Sequence, residues 1–84
     1  MDFYLKIIQQ LGAGYKDLSI TIDEYRELVK EIDKGKYNLK NSKKINDSLA
    51  ALLALKKKLK LKIITEKSFN DEKARLLKEI KNNI

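Results

Sequence analysis

The chain has 84 residues, 19 Lys/Arg against 12 Asp/Glu for a net charge of +7, and neither cysteine, histidine nor proline. A chain of this length holds one domain, near the lower limit for a self-sufficient core, so oligomerisation or docking on a partner is expected. Lacking cysteine it has no disulfide or thiol nucleophile, and lacking histidine it has neither the commonest general base nor the commonest metal ligand; its wealth of Leu, Ile, Lys, Glu and Ala favours helices over a multi-turn β fold.

In chain order, a first helix is predicted over residues 2–11, where Phe3 or Tyr4, Ile7, Ile8 and Leu11 fall on one face. Gly12-Ala13-Gly14 is expected to break it, and Tyr15 to Ile20 to form a connector. Thr21-Ile22-Asp23-Glu24 has the capping-box pattern, Thr at the N-cap and Glu at N3. A second helix then runs to about Lys34 with Tyr25, Leu28, Val29 and Ile32 as its apolar stripe, and Gly35 fits its C′ position. Residues 36–41 look like a polar loop.

Ser42 is the expected N-cap of a third helix over 43–61, with Ile45, Leu49, Leu52, Leu55 and Leu59 within one arc. Thr65 is the expected N-cap of a fourth helix over 66–82, where Phe69, Leu76, Leu77 and Ile80 recur at helical spacing. The expected fold class is all-α: four short helices arranged as two αα-hairpins in a small helical bundle. Residues 1–84 form a single domain, with an N-terminal hairpin over 1–36 and a basic hairpin over 42–82. A weak internal repeat supports the two-hairpin reading. A shift of 44 residues places Leu5 on Leu49, Ile8 on Leu52, Leu11 on Leu55, Ile20-Thr21 on Ile64-Thr65 and Tyr25 on Phe69.

Charge is unevenly spread. Residues 1–33 hold four basic and seven acidic residues, 34–62 hold ten lysines and only Asp47, and 63–84 hold five basic and four acidic residues. Such concentration points to a polyanion or an acidic partner. The candidate polyanion contacts are Lys43, Lys44, Lys56, Lys57, Lys58, Lys60 and Lys62, alongside Lys34, Lys36 and Lys40 in and beside the loop. At 100° per residue the lysines at the end of helix three do not make one stripe, and as cations they also suit a helix C-terminus. The segment contains no arginine, so backbone contact is expected rather than base reading.

Residues 62–77 resemble the SHOCT (short C-terminal) domain. That family's pattern is a leucine-rich helix, then Gly-Ile-Ile-Thr, acidic residues, Phe and a later Lys-x-x-Leu-Leu. Ile63, Ile64, Thr65, Glu66, Phe69, Lys73, Leu76 and Leu77 match it, and Leu52, Leu55 and Leu59 fit the first helix. The resemblance covers residues 48–80. It departs at Lys62, where the family has its turn glycine, and at Ser68, where it has an acid. Loss of the glycine is expected to lengthen helix three or distort the turn. The resemblance implies a small helical module engaged in oligomerisation or nucleic-acid contact, without catalysis.

The function expected from these readings is a non-enzymatic interaction or oligomerisation module. A homo-oligomer or a larger protein is its first expected partner. Leu53 and Leu61 lie outside the main apolar arc of helix three and, with Phe69 and Leu76, are the candidate self-association residues. The alternatives are a small nucleic-acid-binding protein, and a phage or mobile-element adaptor or inhibitor docking on an acidic protein. Attachment to a membrane surface ranks last. Neither cofactor nor metal is expected: Glu24, Glu27 and Glu31 read as a solvated face pairing with Arg26 and Lys30. No signal peptide is read at the N-terminus, and the apolar run Leu49–Leu55 falls far short of the roughly 20 residues that span a bilayer, so the cytoplasm is the expected location.

Overall fold

The computed structural model describes residues 3–35 and 41–84. They form α1 (Phe3–Lys16), α2 (Ile22–Gly35), α3 (Ser42–Lys60) and α4 (Glu66–Asn83). No strand occurs among the described residues, and the all-α expectation holds. α1 packs on α2 and α3 on α4, as two hairpins, and α1 joins them by packing on α3. The expected loop over 36–41 lies outside the described residues, apart from Asn41.

One turn device closes both hairpins. A helix must satisfy its last carbonyls, and the Schellman motif does so with two bonds around a residue in the left-handed region. After α1, the Ser19 N–H donates to the Gly14 carbonyl (2.8 Å) and the Leu18 N–H to the Tyr15 carbonyl (3.3 Å). After α3, the Ile63 N–H donates to the Lys58 carbonyl (2.9 Å) and the Lys62 N–H to the Leu59 carbonyl (3.0 Å). Leu18 has φ 67° and Lys62 has φ 60°. Every one of these donors and acceptors in the second turn stands 44 residues after its counterpart in the first, so the weak sequence repeat is a close repeat of backbone structure. Lys62 adopts the conformation a glycine would supply. α3 therefore ends at Lys60, and the expected lengthening or distortion does not occur.

The starts of α2 and α4 repeat as well. The Glu24 N–H donates to Thr21 Oγ1 (3.1 Å), and the Thr21 N–H donates back to Glu24 Oε1 (2.8 Å), completing the capping box. The Ser68 N–H donates to Thr65 Oγ1 (3.1 Å). Ser68 is too short to return the bond, so α4 begins with half of the box.

Three boundaries differ from expectation, the first being the end of α2, where Gly35, expected just past the helix at C′, is its last residue. α1 continues through Gly12 and Gly14 to Lys16, because neither glycine has positive φ. Gly14 is buried between helices: a Cβ there would lie 3.6 Å from Ile20 and 3.8 Å from Leu53, ordinary contact distances that leave room for a methyl group and little more. The N-cap of α3 is Asn41, and Ser42 is the first helical residue.

The core takes Ile7 and Leu11 from α1, Leu28 and Ile32 from α2, Ile45, Leu49 and Leu52 from α3, and Phe69, Leu76 and Ile80 from α4, with Ile20 from the first turn. Each such burial stabilises by about 1.5–3 kcal/mol relative to exposure.

Candidate interaction surface

Two of the three acids on one face of α2 turn to α4, and the third stays on its own helix. Glu24 pairs with Lys73 at 2.8 Å, and Glu27 pairs with Lys81. Glu31 pairs with Lys34 at 3.7 Å. The expected partners Arg26 and Lys30 are not used, because α4 brings its lysines alongside this face. Partial burial pushes the Glu24 carboxyl up, but the Lys73 hydrogen bond, the Thr21 N–H and the Lys73 charge outweigh it and hold the group below its ordinary value. The hydrogen bond and charge of Glu27 raise the Lys81 ammonium above its own. On α4, Arg75 bridges Glu72 (3.1 Å) and Glu79 (3.2 Å). Its bond to Glu72, then that carboxylate's charge, raises Arg75, and the same pairing lowers Glu72. No group of three acidic, cysteine or histidine side chains among the described residues is arranged to hold a metal ion.

The lysines of α3 contrast with these paired groups. Among the described residues, Lys43, Lys44, Lys57, Lys58, Lys60 and Lys62 are exposed and have no carboxylate within ion-pair distance. Lys56 is different. It is half-buried, and its Nζ lies 5.3 Å from the Phe69 ring centroid, a cation–π contact that belongs to the packing of α3 on α4. Lys36 and Lys40 lie outside the described residues. Lys57, Lys58, Lys60 and Lys62 gather at the last turn of α3 and its Schellman turn, while Lys43 and Lys44 stand in the first turn of the same helix, about 20 Å away along its axis.

The four candidate self-association residues divide. Phe69 and Leu76 belong to the chain's own core, and Leu53 is half-buried against the Gly14 position of α1. Phe69 and Leu76 fill this molecule and offer no surface to another, while Leu53 is partly covered by α1. Leu61 alone is open, 71% exposed. Beside it Ile63 is 66% exposed, although the family resemblance read that residue as part of a structural motif. Leu18 is 72% exposed at the other turn, where Tyr15 and Ile22 are also exposed. Tyr15 stacks on Tyr25 with ring centroids 5.3 Å apart, and the Tyr4 hydroxyl donates to Asp33, tying α1 to α2.

Sequence reasoning missed Leu18 and Ile63 because periodicity sorts helical faces and is silent about turns. The 44-residue shift held the signal, since it places Leu18 on Lys62 and Ser19 on Ile63. Compared with protein-family models, with characterised proteins and with solved structures, the chain has no significant match.

Proposed function

We propose that this chain is a small non-enzymatic interaction module that docks on a polyanionic partner in the cytoplasm through the lysine surface at the C-terminal end of α3. The observation that supports it is the division of charge: Glu24, Glu27 and Glu31 of α2 and Glu72 and Glu79 of α4 are paired with bases, whereas the exposed lysines of α3 have no carboxylate partner among the described residues. Holding like charges together without partners costs repulsion that a polyanion relieves. The resemblance of residues 48–80 to the SHOCT domain, with its link to nucleic-acid contact and assembly, supports the same class of function. An acidic protein offers the same chemistry.

Duplex DNA is a convenient polyanion for a test. With about five phosphate contacts, log affinity should fall against log salt with a slope of about −4 to −5. Lys57→Gln with Lys58→Gln should make the slope shallower by about two. Absence of binding at low salt, or a slope that the double variant leaves unchanged, defeats the proposal.

A second reading, self-assembly, is favoured by the exposed Tyr15, Leu18 and Ile22 around the first turn. It predicts a wild-type dimer or larger species in light scattering and a monomer for Leu18→Ser; a wild-type monomer at high micromolar concentration removes it.

A further inference from the structure

The α3–α4 turn presents aliphatic surface as well as charge. Leu61 and Ile63 are each about two-thirds exposed or more. At the same backbone positions of the α1–α2 turn stand Asp17 and Ser19, and Ser19 is buried. The same two Schellman bonds close both turns, so the motif does not require an aliphatic residue at either place; in the first turn Ser19 also donates from its N–H and hydroxyl to the Asp17 carboxylate. The surrounding charge is equally uncalled for. Ala13, Gly14, Lys16, Leu18 and Asp23 of the first hairpin correspond to Lys57, Lys58, Lys60, Lys62 and Lys67 of the second, and Glu66 is the only carboxylate among residues 57–67.

We propose that this tip binds the surface of an anionic lipid bilayer, with the lysines against the headgroups and Leu61 and Ile63 entering the interfacial layer beneath them. The inference rests on the polyanion reading above and names the partner. Charge complementarity selects an anionic surface, and the aliphatic pair distinguishes among anionic surfaces. A nucleic-acid backbone would leave Leu61 and Ile63 in water. A folded protein would need a hollow shaped to receive them. A bilayer accepts a protruding hairpin turn without one. Attachment is peripheral, since no described helix is long and apolar enough to cross a membrane. Neither signal suffices alone: a lysine near an anionic surface gains about fivefold in affinity, an inserted aliphatic side chain roughly tenfold or more, and stable attachment takes both. A turn entering the interface end-on needs no single lysine stripe along α3, unlike a helix lying in the interface plane.

The chain has no tryptophan, so Leu61→Trp places a single reporter at the tip. The full chain is sedimented with vesicles of phosphatidylcholine alone and of phosphatidylcholine mixed with phosphatidylserine. Binding is expected only to the mixed vesicles, with a blue shift of the reporter's indole emission. Leu61→Ser with Ile63→Ser should lower the vesicle affinity at least tenfold while DNA binding is kept. Leu18→Ser, at the other turn, should bind vesicles like the wild type. Circular dichroism checks that each variant keeps its helicity. A chain that binds DNA but not the mixed vesicles overturns the bilayer and leaves the polyanion reading standing; a chain that binds neither removes both. An unshifted emission, or unchanged binding by the serine variant, means adsorption by charge alone and overturns the proposal. A blue shift that rises with protein concentration without lipid assigns the pair to a second copy, with the same consequence.

Discussion

Lys62 joins stability and function at one residue. A non-glycine residue in the left-handed region brings its Cβ against the following carbonyl, at a cost of about 1 kcal/mol. Lys62 bears that cost at φ 60°, as Leu18 does at φ 67°. Lys62→Gly is therefore expected to raise stability by about 1 kcal/mol, seen as a higher urea midpoint at unchanged m-value. The same change removes one lysine from the α3 tip, so polyanion affinity should fall as stability rises. A variant that loses stability would show that the Lys62 side chain makes contacts outweighing its backbone strain. Ser68 is a residue of the opposite kind. In its place Glu24 of the first hairpin completes a capping box and also reaches Lys73, so one acid serves two helices there.

At the scale of elements, the glycines of α1 separate two meanings of the same residue. Glycine weakens a helix because it loses more backbone freedom on folding than any other residue. Gly14 nonetheless lies within α1, where it faces Ile20 and Leu53. A methyl group would meet them at 3.6–3.8 Å, ordinary contact distances. Gly14→Ala should thus stabilise by about 0.5–1 kcal/mol. Gly14→Leu should destabilise by about 1–3 kcal/mol, because the added atoms drive α3 away from α1. Thermal melts of the two variants check both signs. An alanine variant less stable than the wild type would mean that the α1–α3 contact tolerates no added atom. The repeated turns support this view of the hairpins as units. Each is specified locally, by a threonine cap, a preceding isoleucine and a left-handed residue, before either hairpin meets the other.

Over the whole molecule, the hairpins are joined by the apolar α1–α3 contact and by ion pairs from α2 to α4. Glu24 is the carboxylate in those pairs whose proton affinity is lowered. A group with a depressed folded-state value contributes stability that is fully present above its unfolded value and is lost as pH falls through the folded one. Acidification from neutral pH should therefore leave the melting temperature little changed by Glu24 until pH approaches the ordinary value of 4.5, and lower it below that point. Glu24→Gln should flatten the acid limb, since it removes the titrating group; an unchanged acid limb would show that the Lys73 pair is not what acid disrupts. A third of the Glu24 side chain is open to water, so salt should weaken the effect in part. The pairing also bears on function. It engages acids of α2 with lysines of α4 and leaves the exposed lysines of α3 without a carboxylate partner among the described residues.

Local chemistry made much of this architecture legible from residue order. Four helices, both threonine caps, the core leucines and isoleucines and the position of the second turn follow from signals spanning a few residues: the period of apolar side chains, a hydroxyl at an N-cap, a run of lysines. α1 passing through its glycines was not legible, because glycine accepts helical as well as positive φ, and the burial of Gly14 beside Leu53 depends on a helix far along the chain. For the same reason Phe69 and Leu76 could be read as apolar but not as already covered, and Glu24 and Glu27 as acidic but not as partners of Lys73 and Lys81. The lysine-rich segment was visible as composition. Only the packing decided that Lys56 turns to Phe69, that its neighbours face solvent without carboxylates, and that Leu61 and Ile63 stand exposed among them. A side chain's type is local, whereas its burial and its partners depend on which helix arrives beside it.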